Sequence, residues 1–352
     1  MLLKEKVPLK YTFGKIRFEI AFVLTYSTLV WILKTMFDFE HITIPLSIPA
    51  ILGTVISLLL GFKSNQAYDR WWEARQVWGA IVNDSRSLAR QVQCFAEKEF
   101  QEEVVERFRA DFIHRQIAWC YSLGQNLRGI NPLQGLDKHM SREDIAKLDN
   151  FSNVPAAILN MHGRDLNVML NEGWVNRFQQ IEMERTLVRL CDAQGKCERI
   201  KNTVFPVTYS MYIHFSLLLF IALLPFGLVD YLGVLAIPAV AAIASCFLLI
   251  EKMAIHLQDP FDNKPTDTPV TTIAKNIEKD LTQMIEAVAD ASTGEFERLK
   301  EFGIKARTQG DQVSFTFQGV TTTVKNSASE ITEYLTKIGE GNFGDAEPHE
   351  DP

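Results

Sequence analysis

The chain has 352 residues, of which 47% are hydrophobic and 22% are charged, and its 36 Lys and Arg against 43 Asp and Glu give a net charge of -7. The charges are unevenly distributed, because three stretches contain none: residues 42–62, 202–229 and 231–250. Each stretch is long enough to cross roughly 30 Å of hydrocarbon as a helix, which excludes a water-soluble globular protein. A nucleic-acid-binding protein is also excluded, because it needs a basic face and no polar segment of this chain is strongly basic.

The first apolar segment, residues 20–33, is shorter than the other three. It reaches spanning length only when Phe18 and the residues up to Phe37 are included, with Lys34 extending its ammonium group to an interface. Basic residues precede it, as in a signal peptide, but no small-residue cleavage site follows, so we interpret it as a retained span. The chain is therefore predicted to have four transmembrane helices, at about residues 18–37, 42–62, 204–229 and 231–250.

The distribution of Lys and Arg around these spans predicts the topology. Residues 1–19 contain five basic side chains and residues 63–201 contain twenty, whereas the loops at 38–42 and 225–233 contain none. Basic flanks are retained in the cytoplasm. Both termini and the long middle segment are therefore expected to be cytoplasmic, in a multi-pass protein of the inner cell membrane.

The segment between the second and third spans has a helical pattern. Large apolar residues recur mostly three or four positions apart through residues 70–123 and again through 175–200, and a short helix is expected from Ser141. The predicted fold class is therefore an all-α membrane protein. Its large cytoplasmic helical body is formed by residues 63–203 and 252–306.

The chain changes character after the fourth span. Three prolines and three aspartates at 258–269 break the helix, and a further helix is expected over 270–302. Residues 313–324 alternate around Gly319, which predicts a small hairpin. We therefore interpret residues 307–352 as a C-terminal extension, a hairpin followed by a disordered acidic tail.

Motifs for catalysis or for a bound cofactor are few. The seven histidines form no HExxH pair, the five cysteines form no CxxC pair, and the single GxGxxG lies in the acidic tail without a strand before it. No enzyme activity, metal site or cofactor is therefore expected. His214 is the only titratable group inside a long span, and we expect its imidazole to be neutral and bonded to a neighbouring helix.

The second span carries two stripes of side chains. Small or hydroxyl residues recur at alternating steps of four and three from Thr43 to Ser64. A bulky stripe runs beside them, formed by Ile51, Val55, Leu58 and Phe62. The small stripe fits either close approach of another helix or the lining of a pore, and the bulky stripe fits either lipid or a narrow point in a water-filled passage. The periodicity leaves both alternatives open.

Motifs around and after this span resemble those of the bestrophin family, in particular its bacterial branch. They lie in residues 61–86, in 205–210 at the start of the third span, and in 259–261 after the fourth, with the order and spacing of that family. The motif residues are Arg70, Trp71, Trp72, Asn83, Asp84, Ser85, Arg86, Pro206, Asp259, Pro260 and Phe261. The resemblance covers residues 5–300, so residues 1–306 are assigned to one bestrophin-like channel domain.

The resemblance implies a homopentameric ion channel, in which the second span of each subunit lines a narrow hydrophobic neck. A second constriction, the cytoplasmic aperture, closes a vestibule below it. Carried over by position, the neck falls at Thr54, Leu58 and Phe62, and the aperture falls at Phe205. Thr54 stands where the family is usually aliphatic, which predicts a wetter upper neck. Phe205 is larger than the usual aliphatic residue, which predicts a tighter aperture.

The calcium-binding clasp of the eukaryotic family members is not expected here. Asp262 replaces the glycine of the family's Asp-Pro-Phe-Gly motif. Lys264, Pro265 and Thr266 then replace most of the consecutive acidic residues, and only Asp267 is left. Since calcium requires six to eight oxygen ligands, several of them carboxylate, we interpret this acidic turn as a solvated helix break.

We therefore expect a bestrophin-type ion channel that passes small monovalent ions through its hydrophobic neck, with chloride assigned from the resemblance. Its partners are the permeant ions, the lipid bilayer and further copies of the chain in a homopentamer. Two alternatives remain open. One is a sodium- or cation-selective channel of the same fold, and the other is a membrane-anchored scaffold that does not conduct.

Overall fold

The computed structural model describes residues 13–36, 44–96, 102–203, 206–265, 267–301, 305–309, 312–317 and 320–325, with side chains up to residue 287 apart from residues 102 and 103. Internal contacts divide the chain into two units. The first unit comprises Met1–Gly79 and Gly195–Thr272, and the second comprises Ala80–Gln194 and Ile273–Pro352.

Long helices joined by short loops make up both units, and the predicted all-α fold class is confirmed. The helices are α1 (Arg17–Met36), α2 (Ser47–Phe95), α3 (Glu102–Leu127), α4 (Arg142–Leu148), α5 (Val154–Asn171), α6 (Arg177–Asn202), α7 (Val207–Leu232), α8 (Ala236–Leu257) and α9 (Val270–Glu301), with short 3-10 helices at Leu136–Lys138 and Gly233–Leu235. The predicted short helix from Ser141 is confirmed as α4. Its first turn is capped because Ser141 Oγ accepts a hydrogen bond of 3.1 Å from the Asp144 amide.

Four apolar helices of the first unit pack around one hydrophobic core. Buried residues recur every three or four positions along each helix, so each helix turns one face to the core and leaves the opposite face exposed. The core includes Val23 of α1, Ile56 and Leu60 of α2, Leu217 and Phe220 of α7, and Val240 and Ala244 of α8.

Among the residues that the structure describes, three helical segments are long and apolar enough to cross a membrane: Arg17–Met36, Ser47–Phe95 and Val207–Leu257. The last of these has 51 residues and includes both α7 and α8. A straight helix of that length would extend roughly 77 Å, more than twice the hydrocarbon thickness of a bilayer. The chain instead turns at Gly233, whose φ of 54° favours glycine, and α8 packs back against α7. This segment therefore supplies two of the four predicted spans.

The turn between α7 and α8 differs from the prediction, in which Asp230 separates the third span from the fourth. Instead α7 continues to Leu232, and α8 begins only at Ala236. The Asp230 carboxylate is paired, because Lys34 Nζ of α1 lies 2.6 Å from its Oδ1. A paired charge can remain within the last turn of a helix. The Lys34 side chain is 7% exposed, and its ammonium group is held in this pair.

A second ion pair joins α1 to α8, at the end of α1 opposite to Lys34. Lys252 Nζ, near the end of α8, lies 3.1 Å from Glu19 Oε1 in the first turn of α1. Lys34, in the last turn of α1, pairs with Asp230 near the end of α7. The first helix therefore runs parallel to α7 and antiparallel to α8. This is the arrangement expected when one short connection joins α1 to α2 and another joins α7 to α8.

The second unit is a helical body that contains α3, α4, α5, α9 and the adjoining parts of α2 and α6. Its buried core includes Phe112 and Trp119 of α3, Ile158 and Leu166 of α5, and Met183 and Leu190 of α6. A short polar chain links three of these helices: Trp119 Nε1 donates to Gln194 Oε1 (3.3 Å), and Gln194 Nε2 donates to Asn153 Oδ1 (3.2 Å). Asn153 also caps α5, since its side chain accepts from the Ala156 amide.

Three short strands follow α9: β1 (Lys305–Gln309), β2 (Gln312–Phe317) and β3 (Val320–Lys325). They form one antiparallel sheet in the order β1-β2-β3, with Phe317 opposite Val320. The pairing of β2 with β3 covers the residues whose alternation predicts a hairpin, and β1 adds a third strand. The domain boundary at residue 306 stays a prediction, and the predicted acidic tail lies outside the described residues.

Candidate pore-lining site

The helix α2 turns one face to the core of its unit and leaves the opposite face exposed. On the core face, Ile56 and Leu60 are each 1% exposed. On the opposite face, Leu58 and Phe62 are 61% and 57% exposed, and Thr54 is exposed as well. At 3.6 residues per turn, the three predicted neck residues lie in a sector roughly 80° wide. In a single chain, therefore, all three share a face that points away from the core.

The hydroxyl groups on this exposed face are bonded within the helix itself. Thr54 Oγ1 donates to the carbonyl of Ala50 (2.9 Å), and Ser57 Oγ donates to the carbonyl of Thr54 (2.8 Å). Their hydrogens need no acceptor on another helix. The oxygen lone pairs remain able to accept hydrogen bonds from water, which is consistent with a wetter upper end of the predicted neck.

Glycines show where another helix approaches α2 closely. A Cβ added at Gly53 would lie 3.0 Å from the ring of Phe220 on α7, so the tight contact with α7 is there. Gly53 lies outside the predicted small-residue stripe. On that stripe, a Cβ added at Gly61 would meet no described atom within 4 Å. Within the described part of one chain no helix packs closely at Gly61, so this face is left for water, lipid or another subunit.

Arg70 binds the ends of two other helices of its unit. Its guanidinium group donates to the carbonyls of Ile200 (2.6 Å) and Thr203 (2.5 Å) at the end of α6, and to that of Gln258 (3.1 Å) after α8. The last carbonyls of a helix lack intrahelical partners and carry partial negative charge, so a planar cation with several donors suits them. Arg70 therefore fixes α2 to the chain just before the predicted aperture.

Pro206 lies at the N-terminus of α7, where it is the N-cap residue and its carbonyl accepts from the Ser210 amide (3.2 Å). Its missing amide hydrogen costs nothing there, because the first amides of a helix have no intrahelical acceptor. Phe205, the predicted aperture residue, lies outside the described residues.

The two tryptophans of the motif form ring contacts on α2. The ring centroids of Tyr68 and Trp71 are 5.8 Å apart, and those of Trp71 and Trp72 are 6.2 Å apart. Trp72 is 46% exposed and lies five turns below Thr54 on nearly the same side of the helix. The motif thus places aromatic surface along the exposed face below the predicted neck.

The segment Asp259-Pro260-Phe261 anchors the end of α8 to α6. Lys201 Nζ of α6 lies 2.6 Å from Asp259 Oδ2, and Asp259 Oδ1 accepts from the Phe261 amide (3.1 Å). Pro260 and Phe261 are buried, and the Pro260 carbonyl accepts from the Thr268 amide (2.9 Å). These three residues are therefore a packed start to the turn, whereas Asp262 and Pro265 after them are exposed.

The later residues of the turn are also bonded within it. Lys264 Nζ lies 2.8 Å from Asp262 Oδ2, and Asp267 Oδ2 accepts from the Lys264 amide (2.8 Å). The hydrogen bond from Lys264 lowers the pKa of Asp262, whereas burial raises the pKa of Asp267. Thr266 lies outside the described residues. Among the residues that the structure describes, no group of three or more His, Cys, Asp or Glu is placed to hold a metal ion.

The remaining motif residues, Asn83, Asp84, Ser85 and Arg86, lie in the second unit. Asn83 is exposed. The others each bond to a different helix: Asp84 to Arg189 of α6 (2.7 Å), the buried Ser85 to Gln116 of α3 (2.9 Å), and Arg86 to Asp280 of α9 (2.9 Å). These three motif residues therefore fix α3, α6 and α9 to the part of α2 that lies in the second unit.

A charged cluster in the first unit, in which Lys63 and Glu251 are buried and His214 is half-exposed, was not predicted from the sequence. His214 Nδ1 lies 3.0 Å from Glu251 Oε1, which confirms the predicted bond from His214 to a neighbouring helix. Glu251 is 1% exposed and interacts electrostatically with the equally buried Lys63 of α2. Lys63 Nζ has no hydrogen-bond partner among the described residues. The spacing of Glu251 could have indicated its burial, because it continues the buried series Val240, Ala244 and Leu248 of α8.

Comparison with known proteins identifies similar sequences over most of the chain. The family described as bacterial/fungal bestrophin protein matches residues 11–283. A voltage-dependent anion channel-forming protein of Nostoc sp. is 32% identical over 263 residues, which cover 72% of this chain and 85% of that relative. A protein of the same description from Salmonella typhi is 30% identical over 269 residues, with coverage of 76% and 85%.

Solved structures include the same fold. A bacterial bestrophin homologue from Klebsiella pneumoniae is 25% identical and superposes with a TM-score of 0.72, covering 77% of this chain and 98% of that one. The family match thus extends over the four apolar helices and over the helical body as far as residue 283.

Proposed function

Because the chain belongs to the bacterial and fungal bestrophin family, we propose that it forms a channel for small monovalent anions, chloride among them, across the cell membrane. The family match agrees with the resemblance read from the Arg-Trp-Trp and Asp-Pro-Phe motifs. Relatives that share about a third of the sequence carry the description of anion channel-forming proteins. The protein is thus assigned to the channels rather than to the enzymes.

The exposed face of α2 is the observation that carries this proposal. A single chain buries Leu60 in its four-helix core and leaves Leu58 and Phe62 uncovered. In a homopentamer with α2 innermost, this face would surround the axis and the opposite face would remain anchored in each subunit. Rings of Thr54, Leu58 and Phe62 would then line a passage, one helical turn apart, and their apolar part would form the neck.

An apolar neck controls flux through water. It offers an ion no groups that replace the hydration shell, so conduction requires the constriction to be wetted and the ion to lose part of its water. Thr54 adds a hydroxyl oxygen at the upper ring, which favours water there. We therefore place the main barrier at Leu58 and Phe62.

The cytoplasmic aperture is proposed at Phe205. The support is the environment of its neighbours: Thr203 is bonded by Arg70, and Pro206 begins α7. The described residues on both sides of this position are thus fixed by their contacts, which supports a constriction at this point of the chain.

The proposed topology places both termini and the helical body in the cytoplasm, in a multi-pass protein of the inner membrane. Its support is the basic residues before α1 and between the second and third spans, together with the parallel directions of α1 and α7 and the antiparallel direction of α8.

Flux through vesicles tests the proposal. The purified full chain in liposomes should carry chloride, and Leu58→Ala should raise the flux, because a barrier lowered by ~1 kcal/mol raises a rate roughly fivefold. The matched control is Leu29→Ala on α1, where a leucine of similar exposure (53%) lies on another helix. Vesicles that stay tight to all monovalent ions, or equal flux from the two variants, would contradict the proposal. A monomer or dimer in the membrane would favour the scaffold instead.

A further inference from the structure

The exposed face of α2 continues below the predicted neck with polar residues. Asn65 and Asp69 are both exposed, and Asp69 follows Phe62 by seven residues. Seven residues are close to two full turns, so the two side chains point in nearly the same direction, within roughly 20°. At 1.5 Å per residue Asp69 lies roughly 10 Å below Phe62 along the helix. Asn65 lies between them, with its Nδ2 3.5 Å from Asp69 Oδ2.

Asp69 differs from the other charged residues of the same stretch of α2. Between residues 47 and 79, all of them described, Asp69 is the only exposed charged residue, and the others are buried or half-buried. Lys63 is buried, Arg70 binds backbone carbonyls, and Glu73 pairs with Arg199. Arg75 is half-buried. Glu73 also lies on this face with its side chain 40% exposed, but Arg199 offsets its charge, so Asp69 supplies the net fixed charge below the neck.

We infer that Asp69 is a specificity-determining residue of the pore, which lowers the permeability of anions relative to cations. This inference rests on the proposed function, because it requires the exposed face of α2 to line the passage. One Asp69 per subunit then forms a ring of carboxylates on the cytoplasmic side of Phe62. Asn65 lies beside each carboxylate and can orient it toward the axis.

The physical reason is that the neck itself contributes little to the choice of ion sign. Leu58 and Phe62 carry no charge, so they penalise a chloride and a sodium ion through dehydration alone. The nearest fixed charge then sets the local concentrations of anions and cations at the mouth of the neck. At physiological salt the Debye length is about 8 Å, comparable with the distance from Asp69 to Phe62, and a narrow low-dielectric wall focuses the field further.

Reversal potentials of the full chain in a planar bilayer under a NaCl gradient test the inference. Removing the charge with Asp69→Asn should raise the chloride-to-sodium permeability ratio roughly threefold to tenfold at ~0.01 M salt, where the Debye length is about 30 Å. The change should shrink at ~1 M salt, where the Debye length is about 3 Å. Asp69→Glu keeps the charge and should keep the wild-type ratio.

Asp192→Asn is the matched control, since it removes an exposed carboxylate from α6. It should leave the permeability ratio unchanged. If Asp69→Asn does not assemble, Asp69→Cys replaces it: an anionic methanethiosulfonate reagent should restore the wild-type ratio, and a cationic one should raise the ratio further. Wild-type protein treated in parallel corrects for the exposed native thiols, Cys94, Cys191 and Cys246.

The outcomes separate this inference from the proposed function. If Leu58→Ala raises the flux but the charge at position 69 leaves the reversal potential unchanged at low salt, the inference is overturned and the channel stands. The same holds if Asp192→Asn shifts the ratio as much as Asp69→Asn does. If Leu58→Ala has no effect and no variant conducts, the proposed function fails and the inference fails with it.

Discussion

Leu58 and Leu60 lie two residues apart on α2, yet the first is 61% exposed and the second 1%. Hydropathy gives the two residues the same value, and both lie in the same uncharged stretch. Their difference arises from the packing of α1, α7 and α8 on one side of the helix. A transmembrane segment thus has one face that stabilises the subunit and another that is free to serve the assembly, and only tertiary contacts separate them.

The core face of α2 continues beyond the apolar stretch into a charged residue. Ile56, Leu60 and Lys63 follow one another at helical spacing, and all three are buried. Lys63 interacts electrostatically with Glu251 of α8, whose carboxylate also accepts from His214 of α7. The core face therefore ends in a buried charged cluster, whereas the exposed face ends in Asn65 and Asp69.

The largest expected effect comes from breaking that cluster. Glu251→Gln removes the carboxylate and leaves the Lys63 ammonium group buried without a counter-charge, which should lower the free energy of unfolding by about 3–5 kcal/mol. Thermal unfolding of the purified full chain in detergent measures the effect. Replacing both partners, with Lys63→Met and Glu251→Leu, should recover most of the loss, because two apolar groups need no counter-charge.

The neighbouring Lys252 supplies the control for that prediction. Its ion pair with Glu19 is about one-third exposed on each side, so Lys252→Gln should cost less than ~1 kcal/mol. Equal losses from Glu251→Gln and Lys252→Gln would show that the buried cluster has no special role, and that the core face of α2 does not depend on it.

A smaller effect is expected from the leucine pair itself. Leu60→Ala leaves a cavity in the four-helix core, and should lower the free energy of unfolding by about 2 kcal/mol. This is the low end of the usual range, since lipid chains are as apolar as the core and only packing is lost. Leu58→Ala should change stability by less than ~0.5 kcal/mol.

The same two variants should show the opposite order in flux, because only Leu58 is proposed to line the neck. Detergent unfolding and vesicle flux, measured on one preparation of each variant, give both numbers. A Leu60→Ala protein that is as stable as wild type, or that conducts more than Leu58→Ala, would remove the distinction between the two faces.

Much of the membrane fold was predictable because hydrocarbon excludes unpaired charge over a known thickness. The four apolar helices follow from the uncharged stretches, and α4 follows from its Ser141 cap. The turn between α7 and α8 was not predictable, since Asp230 reads as a break until Lys34 is seen beside it. That pairing joins residues 196 positions apart, and no local pattern reports it.

The candidate site was predictable in a different way. The exposed face of α2 is visible in the sequence as two stripes, but the core face, with Ile56 and Leu60, belongs to neither stripe. Arg70 was identified only as a motif residue. Its role in binding two helix ends could not be predicted, because its partners are backbone carbonyls, which every residue has. Glu251 was predictable from its spacing, and was missed because it stands at the end of an apolar run.

The smallest expected effect concerns His162 of the second unit, a titratable residue that is buried without a counter-charge. His162 is fully buried against Phe112, and neither ring nitrogen has a partner among the described residues. Burial lowers the pKa of His162 well below its usual value of 6.5. Below that pH the unfolded chain binds a proton that the folded chain does not, so stability is lost as the pH falls from about 7 toward 5. One such group changes the free energy of unfolding by at most about 1.4 kcal/mol per pH unit.

His162→Phe should remove this part of the pH dependence of stability. Above pH 7 the wild-type imidazole is neutral in both the folded and the unfolded chain, so the variant and wild type should respond alike to pH there. If the free energy of unfolding of the variant falls with acid pH as steeply as that of wild type, then burial of His162 has no measurable cost. The penalty expected for Lys63 would then come from its charge and not from burial alone.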